Sequence, residues 1–425
     1  APAAAGADSL GCVGAGVEGV ITAGGAMAPD SPHYCEAAAV LQTGPGFFRP
    51  ESRPSRDLGV LLAGVLAGDG LLGPAVEPGP ARVATLSVLD LMAGCGIRAL
   101  RYGLEAGAGR VWANDADADR LPWLQRNLDP LREQGIQLRC SARTAQKLLA
   151  RCLLTEQRFD LLDLDAFGCP TALVPLALEA LQFGGVLYLA STDGRSPTGH
   201  DRRAAIRSLG AAARAHPASW ELALRLQIAA VARAAWAQGH GIRPLFSFSE
   251  GRTFRTAIQL LRRPQPREEE QLGLLAHCHR CGEQLSQSLL RLRCWPPCAC
   301  GAAEAVPLAI SGPLWLGPLQ HAPTLAAMQR RADTLPPHWC ARSSRRLLAA
   351  LHADPGEPAR CWPTAELGRR LGGGPPASEA LLAALHAEGF IAQRSGVMAG
   401  YVRSDAPWPR VLELAAALNA GGCAK

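Results

Sequence analysis

The middle of the chain alternates short apolar runs with amphipathic segments of helical length. Buried parallel strands form near-continuous apolar runs, and helices connect one such strand to the next. The alternation therefore predicts an α/β protein with a doubly wound parallel sheet. The predicted strands are residues 84–92, 111–115, 159–165, 185–191 and 254–262. The predicted helices are residues 58–66, 97–106, 117–129, 171–182 and 218–238.

The flanking segments have other patterns. Residues 1–17 are rich in Ala and Gly, so we expect weak order there, with short edge strands in 18–45. The last segment has the order of a winged helix: helices at 343–353, 364–371 and 378–388, then strands at 390–393 and 400–403. Four divisions are predicted: an N-terminal extension (1–45), the α/β domain (46–265), a cysteine-rich linker (266–312) and a smaller α+β C-terminal domain (313–425).

Composition favours a globular protein of several domains. Of 425 residues, 48% are hydrophobic and 19% are charged, which is enough for a core in each domain. The net charge of +6 rests almost wholly on arginine and permits a polyanionic partner, although nucleotide-composition bias is the simpler source of this excess. Fourteen cysteines favour a reducing compartment over a disulfide scaffold. The sequence shows no membrane-spanning stretch or signal peptide, so we expect a cytoplasmic protein with no membrane contact.

A glycine-rich turn follows the first predicted strand. Gly94 and Gly96 allow the backbone to turn tightly, so a nucleotide-like ligand can approach the N–H groups at the start of a helix. Asp115 ends the next strand, where a carboxylate can accept hydrogen bonds from both ribose hydroxyls. These residues alone also fit an NAD site or a turn without a ligand.

A second acidic segment distinguishes among these functions. Asp165 ends a buried apolar run, and Phe167 follows two residues later. The exocyclic amine of guanine is a poor nucleophile, because its lone pair is delocalised into the ring. A carboxylate that accepts a hydrogen bond from this N–H restores electron density, and an aromatic ring can stack on the purine. The pair predicts methylation of an amine with S-adenosylmethionine as cofactor, whereas Asp163 is more readily interpreted as a structural acid.

Six segments in this order resemble the tRNA (guanine-N(2)-)-dimethyltransferase family, which dimethylates guanine at position 26 of tRNA. The resemblance covers roughly residues 18–410. It implies a class I methyltransferase domain (46–265), a zinc-knuckle-like linker (266–312) and a C-terminal tRNA-binding domain (313–425). The matching segments are Phe47–Asp57, Asp90–Arg98, Asn114–Asp115, Asp163–Pro170, Thr192–Gly194 and Gly312–Leu319.

The resemblance also implies roles for single residues. Asp165 is the expected catalytic carboxylate, and Phe167 and Pro170 are expected to contact the guanine. Ala166 and Cys169 stand where the family has Pro and Ser, and the adenine-binding acid expected near residues 144–146 is absent. The expected cofactor-binding residues are Phe47, Arg56, Asp90, Gly94, Gly96, Arg98, Asp115, Ala116 and Phe167.

The cysteines of the linker have the spacing of a zinc knuckle. Cys278 and Cys281 form a regular first half, and Cys300 fits the second half. The fourth ligand is either Cys298 or Cys294, and reduced cysteines in a degenerate knuckle are the alternative. A bound zinc ion would be structural, since methyl transfer from a sulfonium needs no Lewis acid.

Arginine pairs concentrate after residue 329, and Arg345 and Arg346 are expected to contact the tRNA backbone. A solvated helix face is the alternative for this pair. For the whole protein, the alternatives are an NAD-dependent oxidoreductase of Rossmann type and a catalytically inactive tRNA-binding protein. Nothing in the sequence indicates an obligate protein partner.

Overall fold

A computed structural model describes residues 33–44, 46–68, 85–295, 298, 300 and 308–422. The expectations for residues 1–17 and 18–32 lie outside these ranges. The strands are β1 His33–Glu36, β2 Ala39–Gln42, β3 Leu86–Asp90, β4 Ala108–Asp115, β5 Gln137–Ala142, β6 Phe159–Ala166, β7 Leu181–Ser191, β8 Gly241–Glu250, β9 Thr253–Leu261, β10 Leu272–His277, β11 Gln284–Ser288, β12 Ala309–Trp315, β13 Cys361–Pro363, β14 Ala392–Arg394 and β15 Tyr401–Ser404. The α-helices are α1 Arg53–Ala67, α2 Ile97–Ala106, α3 Leu121–Asn127, α4 Asp129–Glu133, α5 Ala145–Leu154, α6 Val174–Glu179, α7 Arg202–Leu209, α8 Ser219–Ala237, α9 Ala322–Thr334, α10 Arg342–His352, α11 Thr364–Leu371, α12 Ser378–Ala387 and α13 Trp408–Gly422.

The central sheet has seven strands in the order β5-β4-β3-β6-β7-β9-β8. The first five are parallel, and β9 and β8 complete the sheet in antiparallel pairings. Apolar side chains of α1 and α2 cover one face, and those of α5, α6 and α8 cover the other. The predicted doubly wound α/β fold is therefore confirmed, because both faces of the parallel strands are buried by helices.

Two strands of this sheet were not predicted. β5 is an edge strand of mixed polarity, with the sequence Gln-Leu-Arg-Cys-Ser-Ala, so it lacks the apolar run of a central strand. β8 is the other edge strand and contains Pro244, next to an irregularity in its pairing with β9. Proline lacks the N–H that a central strand must donate, so it weakens the strand pattern and is tolerated at an edge.

The C-terminal helices divide between two cores. Leu348 and Leu351 of α10 and Leu325 and Met328 of α9 belong to the same apolar core as α1. A separate core begins at β13 and contains α11, α12, α13 and the sheet β13-β15-β14. The first helix of the predicted winged-helix order therefore packs on the α/β domain, since its apolar face meets α1. The domain boundaries stay predictions.

A buried ion-pair cluster joins the C-terminal core to α8. The Arg403 guanidinium on β15 binds both carboxylate oxygens of Glu221, at 2.8 and 2.6 Å, and both of Asp354, at 2.9 and 3.1 Å. Arg225 binds Glu221 and the carbonyl oxygens of residues 315 and 317. Within the described residues, no helix is both long and apolar enough to cross a membrane.

Candidate active site

The polar residues singled out in the sequence meet at the carboxyl edge of the parallel strands. Asp90 ends β3, Asp115 ends β4, and Asp165 lies one residue before the end of β6. β3 is the direct neighbour of both other strands. Because parallel strands present their carboxyl ends at one edge, three segments that are far apart in sequence converge there.

The glycine-rich turn at this edge is held by Asp115. The backbone N–H of Gly94 donates to the Asp115 Oδ2 atom at 2.9 Å, and the Asp117 N–H donates to Oδ1 at 3.0 Å. Gly94 and Gly96 have φ values of 55° and 87°, which disfavour other residues. A Cβ atom at Gly94 would meet nothing within 4 Å, whereas one at Gly96 would lie 2.8 Å from Leu124. Gly96 therefore permits close packing on α3, and the backbone at Gly94 is open to a ligand.

Asp165 lies between two arginines. Its Oδ2 atom accepts from Arg255 Nη2 at 2.8 Å and from Arg98 Nη2 at 3.3 Å, while 29% of its side chain stays exposed. Burial alone would raise the pKa of Asp165, but the charges of Arg255 and then Arg98 outweigh it and lower this pKa to about 2. Asp165 is therefore a carboxylate at neutral pH, with part of its surface accessible.

Asp163 and Asp90 lie beneath Asp165 and are fully buried. The Tyr102 hydroxyl donates to Asp163 at 2.6 Å, and Arg98 Nη1 lies 3.4 Å from the same oxygen. The Ala99 N–H donates to Asp90 at 3.2 Å, at the start of α2. Burial raises the pKa of both acids, and for Asp90 the neighbouring Asp163 charge raises it further. Both carboxyl groups face protein, so the predicted cofactor contact of Asp90 rests on the resemblance alone.

Two exposed aromatic rings stand beside Asp165. Phe47 and Phe167 are 66% and 77% exposed, and their ring centroids lie 5.4 Å apart in an edge-to-face arrangement. Gly168 holds this loop to β7, because its N–H donates to the Thr192 hydroxyl at 2.7 Å and its carbonyl accepts from the Thr192 N–H at 3.1 Å. Flat apolar surfaces exposed next to a carboxylate suit a heterocyclic base.

The other predicted contact residues differ in exposure. Pro170 is buried and Ala116 is exposed. Arg56 is buried in a bidentate ion pair with Glu36, at 2.8 and 2.6 Å, and it also donates to the carbonyl oxygens of residues 49 and 50 at 3.0 Å. Arg56 therefore fixes the segment that follows Phe47. Its direct contact with a cofactor stays a prediction.

Arg255 is a site residue that the sequence analysis missed. It lies on β9, is 3% exposed, and has no hydrogen-bond partner for its Nε or Nη1 atoms among the described residues. The Nε atom does lie 3.5 Å from the Glu250 carboxylate. The one signal in the sequence was a charged residue within an otherwise uncharged strand, and no spacing rule connects that position to Asp165.

The cysteine cluster contains Cys298 rather than Cys294. The sulfur atoms of Cys278, Cys281, Cys298 and Cys300 all lie within 4.8 Å of one another, and Cys294 is exposed outside this group. A tetrahedral zinc site with Zn–S bonds of about 2.3 Å has S–S edges of about 3.8 Å, so this donor set fits zinc.

The cysteine loop is also bound to the C-terminal core. The Trp408 indole N–H donates to the carbonyl of Cys281 at 2.6 Å, and the Trp362 indole donates to that of Gly282 at 2.8 Å. The two indole rings stack with centroids 4.9 Å apart. The knuckle therefore lies directly against the core built by β13–β15 and α11–α13.

The two predicted tRNA-binding arginines of α10 have different surroundings. Arg345 binds the Asp333 carboxylate at 2.9 Å and the carbonyl of residue 332 at 2.5 Å, which ties α10 to α9. Arg346 is exposed. Only Arg346 of this pair is therefore fully available to a polyanion, and the role of both stays a prediction.

Comparison with known proteins gives one consistent result. A model of the N2,N2-dimethylguanosine tRNA methyltransferase family matches residues 25–416. A tRNA (guanine(26)-N(2))-dimethyltransferase of Methanoregula boonei is 30% identical over 377 residues, covering 86% of this chain and 90% of that protein. Its namesake in Methanocorpusculum labreanum is 28% identical over 374 residues, covering 87% and 89%. The structure of Trm1 from Pyrococcus horikoshii with S-adenosyl-L-methionine superposes with a TM-score of 0.75 at 23% identity, covering 90% of this chain and 99% of that one.

Proposed function

The chain belongs to the N2,N2-dimethylguanosine tRNA methyltransferase family, and from this premise we propose that it dimethylates the exocyclic amine of one guanine in tRNA. The observation that most supports this activity is the partly exposed Asp165 carboxylate beside the aromatic pair of Phe47 and Phe167. The family assignment confirms the resemblance seen in the sequence. It also excludes the alternative of an NAD-dependent oxidoreductase.

The glycine-rich turn and Asp115 fit S-adenosylmethionine. The open backbone at Gly94 admits the amino-acid part of the cofactor, and the half-buried Asp115 carboxylate at the end of β4 can accept hydrogen bonds from the ribose hydroxyls. The bound cofactor supplies a methyl group on a sulfonium, whose departure leaves a neutral thioether. The enzyme therefore has to position the amine in line with that methyl group and exclude water.

Asp165 orients and activates the amine. Because its pKa is about 2, it accepts a hydrogen bond from the guanine N–H without removing the proton beforehand. When the amine nitrogen has gained the methyl carbon, its proton becomes acidic and passes to Asp165 and then to solvent. The product retains one N–H, which can face the same carboxylate for the second transfer. Phe47 and Phe167 hold the base during both steps.

We assign guanine 26 as the target, since the curated relatives are named for that position. The test compares two unmodified tRNA transcripts, one with guanine 26 and one with adenine there, incubated with the protein and methyl-labelled cofactor. Nucleoside mass analysis should find N2,N2-dimethylguanosine only in the first transcript. Equal methylation of both transcripts would mean that the methylated nucleotide is not guanine 26. Binding of both cofactor and tRNA without product would favour the inactive tRNA-binding alternative.

The cysteine cluster is proposed to hold one structural zinc ion in a cytoplasmic enzyme. The clustered thiols and their contact with the C-terminal core support this assignment. Elemental analysis of the purified protein should give about one zinc per chain, lost in Cys300→Ser. The exposed Cys294→Ser is the matched control and should retain the ion. Retention of zinc in Cys300→Ser would refute this ligand set.

A further inference from the structure

We propose that exposed arginines on and beside α7 bind the tRNA sugar-phosphate backbone next to the target guanine. The α7 arginine face consists of Arg195, Arg202, Arg203 and Arg207, all on the α/β domain. This inference rests on the proposed function and identifies which surface of the α/β domain meets the RNA. It differs from the sequence-based expectation, which placed the cationic surface after residue 329.

The α7 arginine face lies beside the catalytic loop, which consists of residues 167–170 and follows Asp165 and β6. Ala205 and Leu209 on the inner side of α7 belong to a small apolar cluster, and Cys169, four residues after Asp165, packs against that cluster. The segment before α7 is joined to the same loop, because Thr192 exchanges two hydrogen bonds with Gly168. The outer side of α7 is therefore close to the point where a base meets Asp165.

The connection into α7 places Arg195 next to the helix. The carbonyl oxygen of Arg195 accepts hydrogen bonds from the N–H groups of His200 at 3.0 Å and Asp201 at 3.2 Å. The Asp201 side chain then accepts from the Ala204 N–H at 2.9 Å and caps α7. Arg195 and the first turn of α7 are consequently fixed on one side of the catalytic loop.

The charge on this surface is not neutralised by any residue that the structure describes. All four arginines are exposed, and their side chains form no hydrogen bond or ion pair with residues that the structure describes. The acids nearest in sequence bind backbone groups: Asp193 accepts from two N–H groups and Asp201 caps α7. Several C-terminal arginines differ, since Arg345, Arg369 and Arg370 each pair with a carboxylate.

Two of the arginines occupy positions that do not favour folding. Arg202 and Arg203 are the first two residues of α7, where the helix dipole is positive and cations are disfavoured. Exposed Ile206 lies between them and Arg207 and is 56% accessible. A cationic face without partners among the described residues, at a helix end whose dipole disfavours cations, suits an external polyanion, and the proposed function brings an RNA base to the adjacent site.

The test compares two double variants of equal charge. R202Q/R203Q alters the α7 arginine face. R110Q/R263Q removes two exposed arginines at the opposite edge of the sheet, since Arg110 is near the amino end of β4 and Arg263 follows β9. Affinity for an unmodified tRNA transcript is measured by fluorescence anisotropy over a range of salt concentrations, and cofactor affinity is measured by calorimetry.

R202Q/R203Q should weaken tRNA binding about tenfold or more and reduce the slope of log affinity against log salt by about 0.7–0.9 per lost phosphate contact. Cofactor affinity and the turnover number at saturating tRNA should stay near the wild-type values. The control should keep wild-type affinity and slope. An unchanged slope for R202Q/R203Q, or equal losses in both variants, would overturn the proposal. Binding is measured without turnover, so a wild-type protein that fails to methylate tRNA would refute the proposed function separately.

Discussion

Two buried clusters of acids and arginines differ in how completely their polar atoms are paired. The catalytic cluster lies at the sheet edge, and the junction cluster joins α8 to the C-terminal core. Each contains two acids and two arginines: Asp163, Asp165, Arg98 and Arg255 in the catalytic cluster, and Glu221, Asp354, Arg225 and Arg403 in the junction cluster.

The junction cluster is fully paired. No buried side-chain nitrogen or oxygen of its four members lacks a hydrogen-bond partner among the described residues. Burial would raise the pKa of Glu221, but the charges of Arg403 and Arg225 lower it to about 2. Such an arrangement stabilises one relative position of two cores and leaves nothing for a ligand to bind.

The catalytic cluster is incompletely paired. Within the described chain, Asp163 Oδ1 and Arg255 Nη1 are buried without a hydrogen-bond partner, and Asp165 is partly exposed. Buried polar groups in native proteins are nearly always paired, so the unpaired ones distinguish this cluster from the junction cluster, and the partly exposed Asp165 is the member that a substrate can reach. The same residue types therefore serve structure in one place and chemistry in the other.

The largest effect is expected from Arg403→Met. Removing this guanidinium leaves Glu221 and Asp354 buried without their main partner, which should lower the free energy of unfolding by about 3–5 kcal/mol. Urea unfolding measures this loss. Exposed Arg346→Met is the control and should change stability by less than about 0.5 kcal/mol. A loss in Arg403→Met as small as in the control would mean that the junction cluster does not stabilise the fold.

Asp165→Asn should lower turnover by at least about 100-fold, equivalent to about 2.7 kcal/mol in activation free energy. The amide accepts hydrogen bonds more weakly than a carboxylate and cannot take the proton. Cofactor and tRNA affinity should stay near wild type, as measured by calorimetry and anisotropy. Near-normal turnover in this variant would place the catalytic carboxylate elsewhere.

Asp115→Ala should weaken cofactor binding by about 1.5–3 kcal/mol, because the ribose hydroxyls lose a charged acceptor. The Gly94 N–H would also lose its partner. Affinity for tRNA should hardly change. Calorimetry with the cofactor and with tRNA in turn measures the two affinities separately. Unchanged cofactor affinity would mean that the ribose binds at another position.

Arg255→Gln should give the smallest effect, about a tenfold loss of turnover, because Arg255 positions Asp165 and holds its pKa low. In the wild type, the pKa of about 2 means that activity should not fall from pH 9 to pH 5 through protonation of Asp165. Without Arg255 the pKa rises, so an acidic limb should move upward in the pH profile. Arg255→Lys should restore the wild-type profile. If the pH profiles of wild type and Arg255→Gln coincide, Arg255 does not control the pKa of Asp165 and contributes only packing.

Sequence periodicity and motifs located most of the catalytic edge. α2 has the predicted bounds, and β3, β6 and α8 lie within two residues of the predicted ones, because each is strongly apolar on the buried side. The convergence of Asp115 and Asp165 followed from the rule that parallel strands end at one edge. Arg255 could not be found in this way, since its contact with Asp165 depends on an antiparallel strand 90 residues later.

Packing between segments distant in sequence was the other feature that could not be predicted from the sequence. The order of elements predicted α10 as the first helix of a winged helix, but its leucines pack with α1. A protein ending near Gly312 would therefore expose part of the α/β core as well as lose the C-terminal domain. Substitution of single exposed arginines is a cleaner test of tRNA contacts than truncation, because it leaves this core intact.

The most direct test compares Asp165→Asn with Arg403→Met in single-turnover methylation, using preformed complexes with cofactor and tRNA at a temperature where both variants are folded. The distinction between the two clusters predicts that Asp165→Asn loses at least about 100-fold in the rate of methyl transfer, while Arg403→Met stays within about fivefold of wild type. Equal losses in both variants, or a greater loss in Arg403→Met, would contradict the assignment of chemistry to the catalytic cluster and of structure to the junction cluster.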